Sequence, residues 1–167
     1  MPSSPSPARS RAPRRAAPPA AEPVAVDTVD TSALERLAGY NIRRASLAIM
    51  ALFAERMTAF DLKVASFSVL TLIAHNPGIT SRQLCAVLAI QPPNLVAIVA
   101  ALDARGALLR QPHPTDGRAV GLHLTPAGAE LAATAGAAAE ALEAEATDRL
   151  TAAERRTLQR LLQKIYG

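Results

Sequence analysis

The chain has 167 residues, half of them apolar, 3% aromatic, a single cysteine and a formal net charge of +4. That length supports one good hydrophobic core and gives no reason to expect two. The lone Cys85 excludes an intrachain disulfide and fits a reducing cytoplasm, and no apolar run approaches the ~18 to 20 residues of a membrane span.

Residues 1–30 are Pro, Ala, Ser and Arg with almost no large apolar side chain, so they cannot offset the entropy of ordering and read as a disordered basic tail. Arg9, Arg11, Arg14 and Arg15 account for the whole net charge, because 18 basic residues less these four leave 14 against 14 acids. The tail is either a solvated segment or an arm that touches DNA without sequence preference. An export signal is not expected, since Pro18, Pro19 and Pro23 interrupt the apolar stretch that should follow Arg14-Arg15. From Thr31 to about Met57, Leu34, Leu37, Ile42, Ala45, Ala48, Ile49, Leu52 and Phe53 recur at helical spacing. The spacing predicts one long helix with more apolar surface than it can leave in water. A second helix is predicted over 64–75, closed by Asn76-Pro77-Gly78, whose Pro and Gly suit the central positions of a turn. Ile79 follows as a minimal strand.

Thr80 with Gln83 forms a capping box that opens a helix over 80–88. After the connector Ala89-Ile90-Gln91, Pro92 and Pro93 suit the first turn of the next helix, where amide donors are not needed, and Gly106 suits its C-terminal stop. Ala107–Arg110 and Gly121–Leu124 read as a two-stranded ribbon with a polar tip over 111–120. Thr125-Pro126 starts an Ala-rich helix to about Thr147, and the Thr151 to Glu154 capping box opens a last helix with Leu158, Leu161, Leu162 and Ile165 on one face.

Two short helices, a ribbon and a fresh helix start describe a winged helix-turn-helix. The expected fold is mostly α with a small β-wing: a single domain over 31–167, its winged unit at about 64–124, flanked by helices over about 31–57 and 126–167 that pair with a second copy. In such a unit the second helix enters the major groove with its N-terminal outward residues on base edges. Leu95, Val99 and Leu102 share the inward face, leaving Gln91, Pro92, Pro93, Asn94, Ala97 and Ala101 outward. The amides of Gln91 and Asn94 can bond bases, or Asn94 merely supports the helix start; Pro93 and Ala97 can only pack on thymine methyls. Thr80, Ser81 and Arg82 are placed to hold phosphate. At the ribbon tip, His113, Asp116 and Arg118 are candidate DNA contacts, with Arg118 suited to a narrow minor groove and Asp116 to bracing it. Residues 80–124 carry Arg82, Arg105, Arg110 and Arg118 against Asp103 and Asp116, an excess of two, which gives the unit a modest preference for phosphate.

Catalysis finds no support: there is no Gly-rich phosphate loop, nucleophile motif or defined carboxylate pair. His75, Cys85, His113 and His123 do not repeat at a zinc spacing, so neither metal nor cofactor is expected. Cys85, set among Leu84, Val87 and Leu88, reads as a buried, inert thiol.

Phe67-Ser68-Val69-Leu70, Ile73 to Gly78, Leu102 to Gly106, Asp116-Gly117-Arg118 and Leu122 to Gly128 together resemble the MarR family of bacterial transcription regulators, over roughly residues 34–167. The resemblance implies a cytoplasmic homodimer that represses genes from a palindromic operator on double-stranded DNA. It also implies release by a small aromatic or phenolic effector bound between the dimerisation and winged lobes, with Arg118 matching the family's wing arginine and Asp116 its companion acid. One departure stands out: Val96 and Ala97 occupy positions where many relatives carry Thr and Arg. Residues 39–45 are similar to the first helix of the regulators of hydroxycinnamate breakdown, which sense aromatic acids or their coenzyme A thioesters. That likeness implies that Tyr40 stacks on an aromatic ring while Arg43 and Arg44 hold a carboxylate or phosphate, unless the arginines are simply an exposed pair on a dimer helix. A protein-interaction module using a winged fold without sequence-specific DNA binding is the alternative, motivated by the few polar groups on the second helix.

Overall fold

The computed structural model describes residues 28–112 and 119–167. The predicted tail, up to residue 27, and the tip residues His113, Asp116 and Arg118 lie outside the described residues. The predicted helix from Thr31 to Met57 is two helices, α1 (Ser32–Glu35) and α2 (Ala38–Met57). Leu37 between them takes an extended backbone, φ −94° and ψ 123°. Asn41 explains the break, because its Nδ2 donates to the carbonyls of Glu35 at 2.7 Å and Leu37 at 2.9 Å, which gives helix-end acceptors a partner outside the helix. A short 3-10 turn, Thr58–Phe60, leads into α3 (Val64–His75), which buries Val69, Leu70 and Ile73.

The winged unit follows in the expected order. β1 (Ile79–Thr80) precedes α4 (Ser81–Leu88), α5 (Pro92–Ala104), β2 (Leu108–Pro112) and β3 (Val120–Leu124). The Thr80 hydroxyl accepts from the Gln83 amide at 3.3 Å while Gln83 Oε1 accepts from the Thr80 amide at 2.9 Å, so the predicted box is formed. Ala89 closes α4 in the left-handed region at φ 51°. Pro92 and Pro93 open α5 as predicted, and Gly106, at φ +67°, ends it where a side chain would be strained. The sheet is antiparallel with order β1-β3-β2. Its ribbon is longer than predicted, since Gln111 pairs with Gly121 and Pro112 with Val120. Pro112 is tolerated because β2 is an edge strand.

α6 (Pro126–Ala146) and α7 (Ala152–Tyr166) complete the chain. Met57, Leu70, Ile73, Leu84, Leu95, Leu102, Leu122 and Leu142 are fully buried, so α2, α3, α4, α5, β3 and α6 share one core. Phe53 and Phe67 meet edge to face at 5.6 Å beside it, and Cys85, predicted buried, is half-buried against it because Leu84 takes the inward position. Arg56 on α2 grips both carboxylate oxygens of Glu145 on α6, at 2.8 and 3.0 Å. No single helix among the described residues is long and apolar enough to cross a membrane.

Both capping boxes carry measurable consequences. Thr80→Ala is expected to lower stability by ~1 kcal/mol, read as a thermal midpoint roughly 2 to 4 °C lower. At the start of α7 the Thr151 hydroxyl and amide both donate to Glu154 Oε2, at 2.7 and 2.8 Å, and these bonds hold the Glu154 carboxyl below its ordinary value. A depressed carboxyl contributes above the ordinary range and loses its contribution as pH falls through the depressed value. Helical chemical shifts in the first turn of α7 should therefore hold steady at neutral pH and move toward coil values only in acid below the usual glutamate range.

Candidate nucleic-acid interface and adjoining cleft

α4, the left-handed Ala89 and α5 make the two-helix unit, and burial decides which side of it faces out. Leu84 on α4 and Leu95, Val99 and Leu102 on α5 point into the core, as the predicted inward face requires. Gln91, Pro92, Pro93, Asn94 and Ala97 are all exposed. The Gln91 side chain makes no capping bond, so its amide and that of Asn94 stand together at the exposed head of α5. Ser81 and Arg82 are likewise exposed in the first turn of α4, whereas Thr80 is half-buried with its hydroxyl engaged by Gln83.

The basic residues of the unit divide by role. Arg105 Nη1 and Nη2 donate to the carbonyls of Asp61 and Phe60 at 3.1 and 2.9 Å, tying the end of α5 to the turn before α3. Arg110 Nε donates to Asp103 Oδ2 at 3.3 Å. Both guanidiniums, counted toward a phosphate-facing excess in the sequence, thus serve the fold. Arg82 has no bonding partner among the described residues.

Beside this unit lies a cleft of about 830 Å³, walled by Phe67, Thr71 and His75 of α3, His123 of β3, Glu140 and Glu143 of α6, and Arg155 and Gln159 of α7. It separates the winged elements from the terminal helices. Arg155 Nε is buried in its wall without a hydrogen-bond partner among the described residues; Nη2 makes one long contact, 3.4 Å, with the Thr147 carbonyl. A guanidinium whose Nε is buried and under-bonded favours an incoming anion. None of His75, His123 and Arg155 was singled out as a ligand contact from sequence, because residues 75, 123 and 155 meet only through the tertiary fold. The predicted ligand residues are elsewhere: α2 contributes only Phe53 to the cleft, and Tyr40 lies about 20 Å up the helix axis from it. Tyr40 is half-buried, and Arg43 and Arg44 are exposed.

An exposed second helix on a capped helix pair, backed by a three-stranded wing, defines a winged helix-turn-helix DNA-binding protein. The sequence pattern of the MarR family matches residues 60–119, from the turn before α3 to the foot of β3. A Thauera aromatica protein named as a regulator of the hcr operon is 31% identical over 129 residues, 77% of this chain and 78% of its own length. CouR, solved on a 23-mer DNA duplex, superposes with TM-score 0.78 and 32% identity over 84% of this chain and 100% of its own. MarR from E. coli superposes with TM-score 0.67 and 30% identity over 78% and 98%. CouR from Rhodococcus jostii RHA1, solved with p-coumaroyl-CoA, shares the fold at TM-score 0.74, with 24% identity over 80% and 94%. The chain belongs to the MarR family and is a transcriptional regulator of that type.

Proposed function

We propose that the chain acts as a homodimeric repressor that leaves its operator when a small anionic aromatic molecule fills the cleft. The observation that carries this reading is the buried, unpartnered Arg155 Nε in a largely apolar cavity between the winged elements and the terminal helices. A carboxylate or phosphate there gains a charge-assisted bond from the guanidinium, while Phe53 and Phe67 offer ring contacts. Filling the cleft changes the spacing between two recognition helices in a dimer, whose half-sites lie about 10 base pairs apart. On this reading Gln91 and Asn94 contact bases, Ser81 and Arg82 hold phosphate with the Thr80 box presenting them, and Arg118, with Asp116 and His113 beside it, enters the minor groove. Tyr40, Arg43 and Arg44 flank the apolar face of α2 and reach a ligand only through the second copy.

Fluorescence anisotropy on the labelled promoter fragment beside its own gene tests the proposal, with p-coumaroyl-CoA and p-coumarate as probes. Ligand is expected to weaken binding ~5 to 150 fold, the usual range of such coupling. Arg155→Leu should bind the fragment as the parent does and lose most of that response. If neither probe, nor any anionic aromatic compound in a wider panel, shifts the titration, release by this class of ligand is wrong.

A further inference from the structure

The outward side of α5 is apolar over the two turns that a duplex meets first. Pro93, Val96, Ala97 and Ala100 are all exposed, and spacings of three and four residues set them side by side. Val96 is the largest of them, and 66% of it is open to solvent, although valine is among the residues most often buried. Within α5 the only polar side chains are Asn94 and Asp103, and Asp103 is engaged by Arg110 at 3.3 Å. One amide on the helix, with that of Gln91 just before it, is therefore all that remains to bond base edges. The major groove offers one apolar group to such a face, the C5-methyl of thymine. A nucleic-acid occupant also suits the positive end of the α5 dipole, and no acid stands in the first turn of α5 or of α4.

We propose that this chain reads its operator chiefly through thymine methyls packed against Pro93, Val96 and Ala97, with Val96 as the side chain that decides which positions must be thymine. The inference rests on the reading of α5 as the recognition helix of an operator-binding regulator. It assigns to Val96 a role that a hydrogen-bond census of the helix cannot reveal, because the contact is made by shape and desolvation. A thymine-specific position read this way tolerates uracil's hydrogen-bonding edge and still rejects uracil, since only the methyl is missing.

The test uses the full chain to select a preferred duplex from a random-sequence pool, then replaces each thymine of that duplex in turn with deoxyuridine. Binding of the parent is expected to weaken about fourfold per contacted methyl, the effect of burying one such group, at one or two positions in each half-site. Val96→Ala, a substitution at an exposed site that favours helix, should bind the same uracil duplexes within twofold of its own thymine duplex. Val96→Ile, which keeps and enlarges the apolar face, should retain the parent's discrimination. If selection enriches no sequence, the operator-binding reading fails and takes this proposal with it. If a sequence is enriched but uracil is accepted at every position, or is rejected equally by Val96→Ala, operator binding stands and methyl readout is overturned.

Discussion

Gly128→Ala is expected to cost about 3 kcal/mol, a fall of roughly 10 °C in thermal midpoint for a chain of this size. Gly128 is the third residue of α6, and its amide donates to the Thr125 hydroxyl at 3.0 Å. A methyl group built on it would sit 2.0 Å from the Ala107 carbonyl oxygen and 2.9 Å from its carbon. Neither atom can move aside cheaply. Ala107 O accepts from the Thr125 amide at 3.1 Å, the Thr125 hydroxyl donates to Gly106 O at 2.7 Å, and Ala107 is itself buried. The start of the wing and the start of α6 are thus locked backbone to backbone, and the extra carbon must pry them apart. Gly136 on the same helix is the control, because nothing lies within 4 Å of its added Cβ; Gly136→Ala should stabilise by ~0.5 to 1 kcal/mol through helix propensity. Calorimetry on the two variants checks both signs, and equal midpoints for them would refute the steric argument.

Leu161→Glu is expected to separate the two subunits and to weaken operator binding ~10² to 10⁴ fold. The single chain leaves α7 without a buried residue, with Leu161 48% and Ile165 67% exposed. Leu47 on α2, Leu37 in the break before it and Leu34 on α1 are also exposed. Apolar surface of this extent at both ends of the described chain marks an interaction site, which the proposed dimer covers. Burying a carboxylate there without a partner is strongly unfavourable. Once the subunits part, each winged unit binds its half-site alone and loses the effective concentration that linkage supplies, which is the source of the predicted factor. Light scattering after size exclusion reads the subunit mass, and a titration on the promoter fragment reads affinity. A Leu161→Glu chain that stays paired and binds like the parent would remove α7 from the interface.

The features that sequence anticipates are those whose cause lies within about four residues. The Thr80 and Thr151 boxes, Pro92-Pro93 at the head of α5 and Gly106 at its foot are local contests between side chain and backbone, and they fall where the spacing places them. The break at Leu37 escapes because apolar periodicity continues across it, while the Asn41 amide that satisfies the broken ends leaves no trace in that pattern. The extension of the ribbon to Pro112 escapes because it depends on a partner across the sheet, Val120. Arg105 and Arg155 escape for a similar reason: the first reaches carbonyls 44 and 45 residues earlier, and the second is stranded in a wall that exists only once α7 lies beside the cleft. Val96 stood in view as a departure from the family pattern, but only its exposure shows that no described residue covers it.

Competition between the selected duplex and a random duplex of equal length, titrated with the full chain near physiological salt, tests the central claim most directly. A regulator that reads base edges and methyl groups from α5 should prefer its duplex by ~10³ fold or more, and the preference should survive added salt better than the affinity itself. A ratio near one, with both duplexes lost together as salt rises, would contradict sequence-specific recognition by this chain.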